Sequence, residues 1–93
     1  MAVAVLVEAS GFTQEQYDKA VTETMPGGRM PAGLLFHLGG PAEGGWRVVD
    51  MWESQEAFDK FAREILAPAM AKVGYSQQPQ IKAWPVHNTA HTH

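Results

Sequence analysis

One histidine inside an apolar stretch is the residue best suited to moving protons. His37 stands within residues 33–38, a run of glycine, leucine and phenylalanine followed by two glycines and a proline. An imidazole changes its charge near neutral pH, so His37 could act as a general base, bind a metal or a haem iron, or be a hydrogen-bonded core side chain. No second ligand stands at a fixed spacing from it, which argues against a metal. We therefore predict no metal site and take His37 as the first catalytic candidate.

A carboxylate between two indoles is the second candidate. In residues 46–53, alternation places Asp50 on the same strand face as Trp46 and Trp52. A desolvated and unpaired carboxyl group would keep its proton and could act as an acid or a base. The alternative is a structural pair with one of three partners: His37 across a hairpin, Arg47 or Arg29.

Aromatic side chains could hold a flat ligand, because an indole offers a large contact area and one hydrogen-bond donor. Trp52 could stack on such a ligand beside the base, and it is the third predicted catalytic residue. The predicted substrate-binding residues are Phe36, Trp46, Tyr75, Trp84 and His87. The alternative is that these aromatic residues only form a core, and it applies equally to Tyr17, Phe58 and Phe61.

Histidines near the C-terminus have the spacing H-x3-H-x-H, at His87, His91 and His93. They could bind a metal if the segment were ordered, but terminal segments are usually loose, so adventitious binding is the preferred interpretation. His87 also ends the last predicted strand, from which it could approach His37 of a second chain.

Hydrophobic periodicity predicts the elements that must position these residues. A β-branched run at residues 3–7 indicates a central strand buried on both faces. Thr13 begins a helix with a capping box, and Ser54 begins a second helix that should kink or restart at Pro68. Further strands are predicted at residues 33–38, 46–53 and 80–87, the first two joined as a hairpin. Pro85 restricts the last strand to an edge.

This order of elements predicts a ferredoxin-like α+β fold, βαββαβ, with a four-stranded antiparallel sheet and both helices on one face. Residues 1–87 form one domain and residues 88–93 a tail. We expect Val49 and Met51 to face the helices, which leaves Trp46, Val48, Asp50 and Trp52 on the uncovered face. Because a monomer rarely exposes such a surface, we predict a homodimer.

Composition excludes several classes of protein. The 93 residues are 45% hydrophobic and 18% charged, which is enough for one modest core. A net charge of −3 with no basic run argues against a nucleic-acid partner. The absence of cysteine excludes disulfides and thiolate catalysis and suits the cytoplasm. The apolar start is too short to span a membrane, and no membrane partner is predicted.

The run GWRVVDMWESQEAF at residues 45–58 carries a family resemblance. It resembles the strand-to-helix junction of the dimeric α/β-barrel proteins, particularly the antibiotic biosynthesis monooxygenase-like superfamily, in which W-E-S-x-E-A-F is common. The resemblance implies two sheets packed face to face as a barrel, with a pocket between sheet and helices in each subunit. Relatives include cofactor-independent monooxygenases acting on aromatic polyketides, haem-degrading enzymes and lactone isomerases. The monooxygenases use an Asn, a Trp, a Tyr and an Arg; Trp52 matches the tryptophan, and no asparagine occurs in the first 87 residues.

The sequence thus predicts a dimeric protein that binds a small, flat aromatic or apolar molecule and oxidises it without a cofactor. His37 or Asp50 would remove a proton while Trp52 holds the ring, and the resulting carbanion would reduce dioxygen. Two alternatives remain: a non-catalytic module that sequesters its ligand, and a haem-binding or haem-degrading protein using His37 and His87.

Overall fold

The computed structural model describes residues 1–90 and contains the predicted order of elements. The strands are β1 (Val3–Ser10), β2 (Leu34–Ala42), β3 (Gly45–Trp52) and β4 (Gln80–Pro85). The helices are α1 (Gln14–Thr24), α2 (Gln55–Phe61) and α3 (Ala67–Lys72), with a π-helical turn at Ala62–Leu66 between the last two. All strands form one antiparallel sheet in the order β2-β3-β1-β4. The predicted ferredoxin-like fold is confirmed.

Some predictions lie partly outside these residues. His91 and His93 are not among the described residues, so the metal interpretation of the C-terminal histidines and the 88–93 tail stay predictions, as does the single domain at residues 1–87. Within residues 1–90, no three histidine or acidic side chains are grouped so that they could hold a metal ion. No helix in that range has the length and apolarity needed to cross a membrane.

β1 is central, as predicted, and its burial alternates. Val3, Val5, Val7 and Ala9 are buried against the helices. Ala4 and Leu6 lie on the opposite face and are only half-buried. The expectation that both faces of this strand are buried is therefore wrong for the single chain.

Both predicted helix starts are confirmed. The Thr13 hydroxyl accepts a hydrogen bond from the Gln16 N–H, and the Gln16 side chain accepts one from the Thr13 N–H, which completes a capping box at α1. Ser54 caps α2 by accepting from the Ala57 N–H. The kink or restart predicted at Pro68 is found as the π-helical turn just before it, and the helix continues through this proline, since Leu66 and Ala67 keep α-helical dihedral angles.

The π-helical turn changes which side chains of the second helix face inward. A continuous α-helix would bury Ile65 with Phe58 and Phe61, but Ile65 is 40% exposed. The wider turn adds one residue to the spacing, so Leu66 and Met70 face the sheet in its place.

The assignment of the two faces of β3 is wrong and has to be reversed. Trp52 is fully buried against Phe58 and Phe61, with ring centroids 5.7 and 4.8 Å away. The strand register pairs Val5 with Asp50, so the face of β3 that carries Trp46, Val48, Asp50 and Trp52 is the helix-covered one. Alternation separates two faces without saying which is covered, and here the larger aromatic surface is the buried one.

The uncovered face of the sheet, which we call the bare face, is nevertheless apolar. Phe36 and Trp84 are 46% and 48% exposed there. The register places them in one row with Met51 and Ala4, and a second row contains Leu38, Val49 and Leu6. The exposed apolar face predicted from the sequence therefore exists, but it is formed by Phe36, Trp84 and their neighbours and not by Trp46, Val48 and Trp52.

Candidate functional site

Four side chains under the helices form a continuous hydrogen-bonded chain. The Tyr17 Oη and His37 Nε2 atoms are 2.6 Å apart, and His37 Nδ1 lies 2.6 Å from Asp50 Oδ1. The Trp52 indole donates from Nε1 to Asp50 Oδ2 at 3.2 Å. Three predicted residues, His37, Asp50 and Trp52, are therefore in contact with one another.

The hairpin register explains why the histidine and the carboxylate meet. His37 of β2 and Asp50 of β3 are direct partners across the antiparallel pair, so their side chains share one face. Of the alternatives left open for Asp50, the pairing with His37 is the observed one. Arg47 instead contacts Glu8 at 3.1 Å on the opposite face.

The donors around Asp50 define the proton positions. Both carboxylate oxygens face N–H groups, which is the pattern of an ionised acceptor. We assign the His37 proton to Nδ1, which donates to Asp50, so that Nε2 accepts from the Tyr17 hydroxyl. Asp50 is only 6% exposed, and a buried carboxylate needs such partners.

Burial raises the pKa of the Tyr17 hydroxyl above its ordinary 10.0, and the nearby charges of Asp50 and Asp18 raise it further. Tyr17 therefore remains a neutral phenol at physiological pH and serves as the donor to His37. Stability linked to this neutral phenol is fully present below pH 10.0 and is lost as pH rises through the raised pKa.

The hydrogen-bonded chain borders a small apolar cavity between the sheet and the helices. Its volume is about 70 Å³, against roughly 300–1,000 Å³ for a typical small-molecule pocket. Besides Tyr17, His37 and Asp50, the lining is almost entirely apolar and includes Val7, Val48, Trp46, Phe58, Phe61, Leu66 and Met70. An aromatic ligand needs the cavity to widen.

A larger open groove lies next to the cavity. An open groove of about 750 Å³ runs between the second helical segment and β4. Phe58, Leu66 and Met70 line both the groove and the cavity. These three side chains therefore form the wall between the two spaces.

Gly39 allows the tyrosine to reach the histidine. β2 continues past its predicted end at Leu38, and a Cβ on Gly39 would lie 2.6 Å from Tyr17 Oη and 2.7 Å from Tyr17 Cζ. Only glycine leaves room for the phenol to cross this strand.

We expect Gly39→Ala to displace the Tyr17 ring while the fold is retained, because the displaced atoms are the tip of a side chain. The pKa of Tyr17 should then fall toward that of an exposed tyrosine, as measured by NMR titration of ¹³Cζ-labelled tyrosine. Gly40→Ala is the matched control, since a Cβ there meets no atom within 4 Å. An unchanged Tyr17 pKa in Gly39→Ala would contradict this account.

The other predicted residues divide between two faces. Trp46 lines the cavity. Phe36, Trp84 and His87 line a depression on the bare face, on the other side of the sheet from the cavity. Tyr75 belongs to a second core cluster, where its ring meets Phe12 edge-on and its hydroxyl donates to the Ser10 carbonyl at 2.9 Å. Trp52 does not line the cavity, so its position suits holding Asp50 rather than the predicted contact with a ligand ring.

Tyr17 is the functional candidate that the sequence did not single out. It was grouped with core aromatics because its helical spacing is that of a buried face. The available signal was its hydroxyl group, because a tyrosine on an inward-facing helix position usually needs a hydrogen-bond partner.

Comparison with known proteins identifies the fold. No family model and no curated protein sequence matches the chain. Rv0793 from Mycobacterium tuberculosis has a TM-score of 0.69 at 16% identity, over 98% of this chain and 100% of that one. SnoaB, a cofactor-independent oxygenase from Streptomyces nogalater solved as a mutant, has a TM-score of 0.64 at 10% identity, over 95% and 94%. The haem degrader MhuD from Mycobacterium tuberculosis, with two haems in its active site, has a TM-score of 0.55 at 20% identity, over 98% and 100%.

The chain therefore has the ferredoxin-like fold of these solved structures. The resemblance at residues 45–58 is thereby confirmed at the level of the fold. At these identities the likeness is one of fold, and any activity must be argued from the residues of the site.

Haem is a ligand of one member of this fold, and the described residues do not fit it here. Both ring nitrogens of His37 are engaged, one by Tyr17 and one by Asp50, so neither is free to ligate iron. His87 is exposed on the opposite side of the sheet, where it lines the depression on the bare face.

Proposed function

We propose that this protein binds a small phenolic or polyketide-like molecule in the apolar cavity and oxidises it with dioxygen, without a resident cofactor. The observation that carries the proposal is the chain from Tyr17 through His37 to Asp50, which opens on an apolar space. A base held by a buried carboxylate, with little water beside it, suits the removal of a proton from a weak carbon acid.

Proton removal begins at the phenol that faces the cavity. Tyr17 Oη takes a proton from the substrate carbon as its own proton passes to His37 Nε2. The imidazolium that results is stabilised by Asp50, whose other oxygen is held by the Trp52 N–H. The electron pair of the broken C–H bond remains on the substrate as a carbanion, delocalised over the aromatic system.

The carbanion then reduces dioxygen directly. Electron transfer and C–O bond formation give a peroxide, which receives the proton held on His37. Loss of the second proton from the same carbon, with cleavage of the O–O bond, releases water and leaves a carbonyl. One substrate CH₂ group and one O₂ thus give one C=O group and one H₂O, and no external reductant is required.

Oxygen uptake with a dihydroxynaphthalene tests the proposal. We expect one O₂ consumed per quinone formed, with no hydrogen peroxide accumulating. Tyr17→Phe should reduce the rate about 100-fold, the lower part of the range for a positioned proton-transfer group. Tyr75→Phe is the matched control, because its hydroxyl bonds to a backbone carbonyl outside the cavity.

Two results would reject the oxidation. Uptake equal in the wild type and in Tyr17→Phe would mean that the phenol plays no part. A rise in melting temperature with ligand but no oxygen uptake would indicate the non-catalytic binding module instead.

We also propose that the working unit is a homodimer joined through the bare face. Phe36, Leu38 and Trp84 are each about half exposed there, in adjoining rows of the sheet. A continuous apolar surface of this kind supports pairing with a second copy. A cytoplasmic location stays a prediction based on the absence of cysteine.

A further inference from the structure

The hydrogen bond between Tyr17 and His37 holds a single proton, which can belong to either ring. The Tyr17 Oη and His37 Nε2 atoms are 2.6 Å apart, the ring centroids are 6.1 Å apart, and the ring planes are inclined by only 8°. The two rings therefore lie nearly end to end, and the hydrogen bond joins their tips. Either the hydroxyl donates to a neutral imidazole, or the N–H of an imidazolium donates to the hydroxyl oxygen.

The other nitrogen of His37 keeps the same role in both charge states. His37 Nδ1 lies 2.6 Å from Asp50 Oδ1 and donates to it whether the ring is neutral or charged. A proton added to the ring therefore goes to Nε2, and an imidazole takes up a proton between about pH 5 and pH 8. Burial raises the pKa of Tyr17 above its ordinary 10.0, so the hydroxyl keeps its own proton throughout this range.

The charges that surround this hydrogen bond come from few elements. Asp50 of β3 is the carboxylate in contact with His37. α1 adds the charge of Asp18, which acts on the Tyr17 hydroxyl. β1 and the second helical segment contribute only apolar side chains to the cavity beside the bond. Arg47 and its acidic partner lie on the bare face, on the other side of the sheet.

Protonation of His37 has to turn the Tyr17 hydroxyl. A phenol O–H prefers the plane of its ring, so its hydrogen points either at His37 or away from it. With a neutral imidazole, the hydrogen points at Nε2 and a lone pair of Oη stays open to a donor. With an imidazolium, the Nε2–H group occupies that side and the hydroxyl hydrogen turns away. Both residues line the otherwise almost apolar cavity, so a molecule bound there meets the group that has turned.

We propose that the charge of His37 sets which hydrogen-bonding partner the cavity binds. With neutral His37, the cavity takes a small molecule that donates to Tyr17 Oη. With protonated His37, it takes a small molecule that accepts from the Tyr17 hydroxyl. The mismatched partner leaves a buried polar group unpaired, which lowers its affinity. This inference rests on the proposed binding of a small molecule in the cavity, adds the regulation of that binding by pH, and does not require the oxidation.

Three five-membered rings of similar size test the proposal, chosen small because the cavity volume is about 70 Å³. Cyclopentanone accepts hydrogen bonds, the N–H group of pyrrole donates one, and cyclopentane does neither. Their affinities are measured by NMR titration at about pH 5 and about pH 8.5, on either side of the usual imidazole titration. We expect cyclopentanone to bind about 3- to 10-fold more tightly at the lower pH and pyrrole at the higher pH, the effect of one hydrogen bond. Cyclopentane should bind equally at both.

Affinities of cyclopentanone and pyrrole that do not change with pH would overturn the inference, because the hydroxyl would then turn toward solvent and not toward the cavity. The absence of binding by all three rings would overturn it as well.

A matched pair of variants assigns the pH dependence to one histidine. His37→Gln removes the change of charge, so both affinities should become independent of pH. His87→Gln makes the same substitution at the exposed histidine of the bare face and should keep the wild-type dependence. A dependence that persists in His37→Gln or disappears in His87→Gln would refute the assignment.

The wild type provides a measurement that no substitution can disturb. The ¹³Cζ signal of labelled Tyr17 should respond to cyclopentanone at the lower pH and to pyrrole at the higher pH. Tyr75 is the internal control, because its hydroxyl donates to the Ser10 carbonyl outside the cavity and should respond to neither. Equal responses of Tyr17 at both pH values would contradict the turning of its hydroxyl.

The two proposals can fail separately. A pH-dependent choice between cyclopentanone and pyrrole, without oxygen uptake from a dihydroxynaphthalene, would reject the oxidation and leave the switch intact. Oxygen uptake that requires Tyr17, together with ring affinities that do not change with pH, would reject the switch alone.

Discussion

His37→Ala should lower the rate of substrate oxidation by about 10²- to 10⁴-fold, the range for loss of a positioned general base. Without the imidazole, Tyr17 has no acceptor for its proton, and Asp50 loses the N–H that bonds its Oδ1 atom. The measurement is initial oxygen uptake with a dihydroxynaphthalene, at saturating substrate and as kcat/KM. Both parameters should fall, because the interaction is made in the transition state.

Added imidazole should restore part of this activity. The truncation adds the volume of the missing ring to a cavity that is already about 70 Å³ and borders both Tyr17 and Asp50. Free imidazole can therefore occupy the vacated position between them. Rescue that saturates with imidazole concentration distinguishes a missing base from a damaged fold.

Asp50→Asn tests the same His37–Asp50 pair by changing the carboxylate. An amide preserves the shape but cannot accept on both sides, so the proton of His37 is no longer held on Nδ1 and a buried N–H is left unsatisfied. Activity should fall as far as in His37→Ala, without imidazole rescue. His87→Ala is the control, because that histidine is exposed on the other side of the sheet. Loss of activity in His87→Ala, or its retention in Asp50→Asn, would contradict the assigned roles.

The contact between His37 and Asp50 was accessible to sequence reasoning because it depends on local structure. A glycine-rich break between two strand-like runs predicts a hairpin, and a hairpin brings its cross-strand residues together. The register that pairs these two residues follows once the turn at Glu43 and Gly44 is fixed. The element order and both helix caps were predictable for the same reason.

Which face the helices cover was not accessible in this way. Alternation along β3 defines two faces without saying which one is covered, and the packing of Trp52 against Phe58 and Phe61 decides between them. Tyr17 was missed for a related reason. Its contact with His37 spans α1 and β2 and depends on the absence of a side chain at Gly39, which no periodicity reports.

The exposure of Ile65, which helical spacing places on the inward face beside Phe58 and Phe61, was also unpredictable. Helical spacing assumes 3.6 residues per turn, whereas the π-helical turn at Ala62–Leu66 shifts the following residues by one position. That shift exposes Ile65, and it sends Leu66 and Met70 to the wall shared by the cavity and the groove.

The second large effect concerns the proposed dimer. Leu38→Asp should convert the protein from a dimer into a folded monomer, because the substitution would bury an unpaired carboxylate in the interface. Such a charge costs about 3–5 kcal/mol, which weakens the dissociation constant by roughly two to three and a half orders of magnitude. Leu38 is 48% exposed in the single chain, so the monomer itself should tolerate the change.

The chain exposes more surface than a compact monomer of its mass. It exposes 6217 Å², whereas a folded monomer of 10.2 kDa is expected to expose roughly 5300 Å². The exposed residues that follow Val86 contribute to the excess.

Sedimentation at micromolar concentration measures the effect, with the wild type expected at twice the 10.2 kDa chain mass. Ile65→Asp is the matched control, since Ile65 is 40% exposed but lies on the helical layer, and this variant should remain dimeric. A monomeric wild type, or equal dissociation of both variants, would refute the bare face as the interface. Because His37 and Leu38 are neighbours on β2 and face opposite sides of the sheet, the Leu38→Asp monomer also decides whether the site needs the second chain. Retained oxidation in the monomer would place the whole reaction within one subunit, whereas lost oxidation with an unchanged Tyr17 pKa would mean that the partner holds the cavity in its active form.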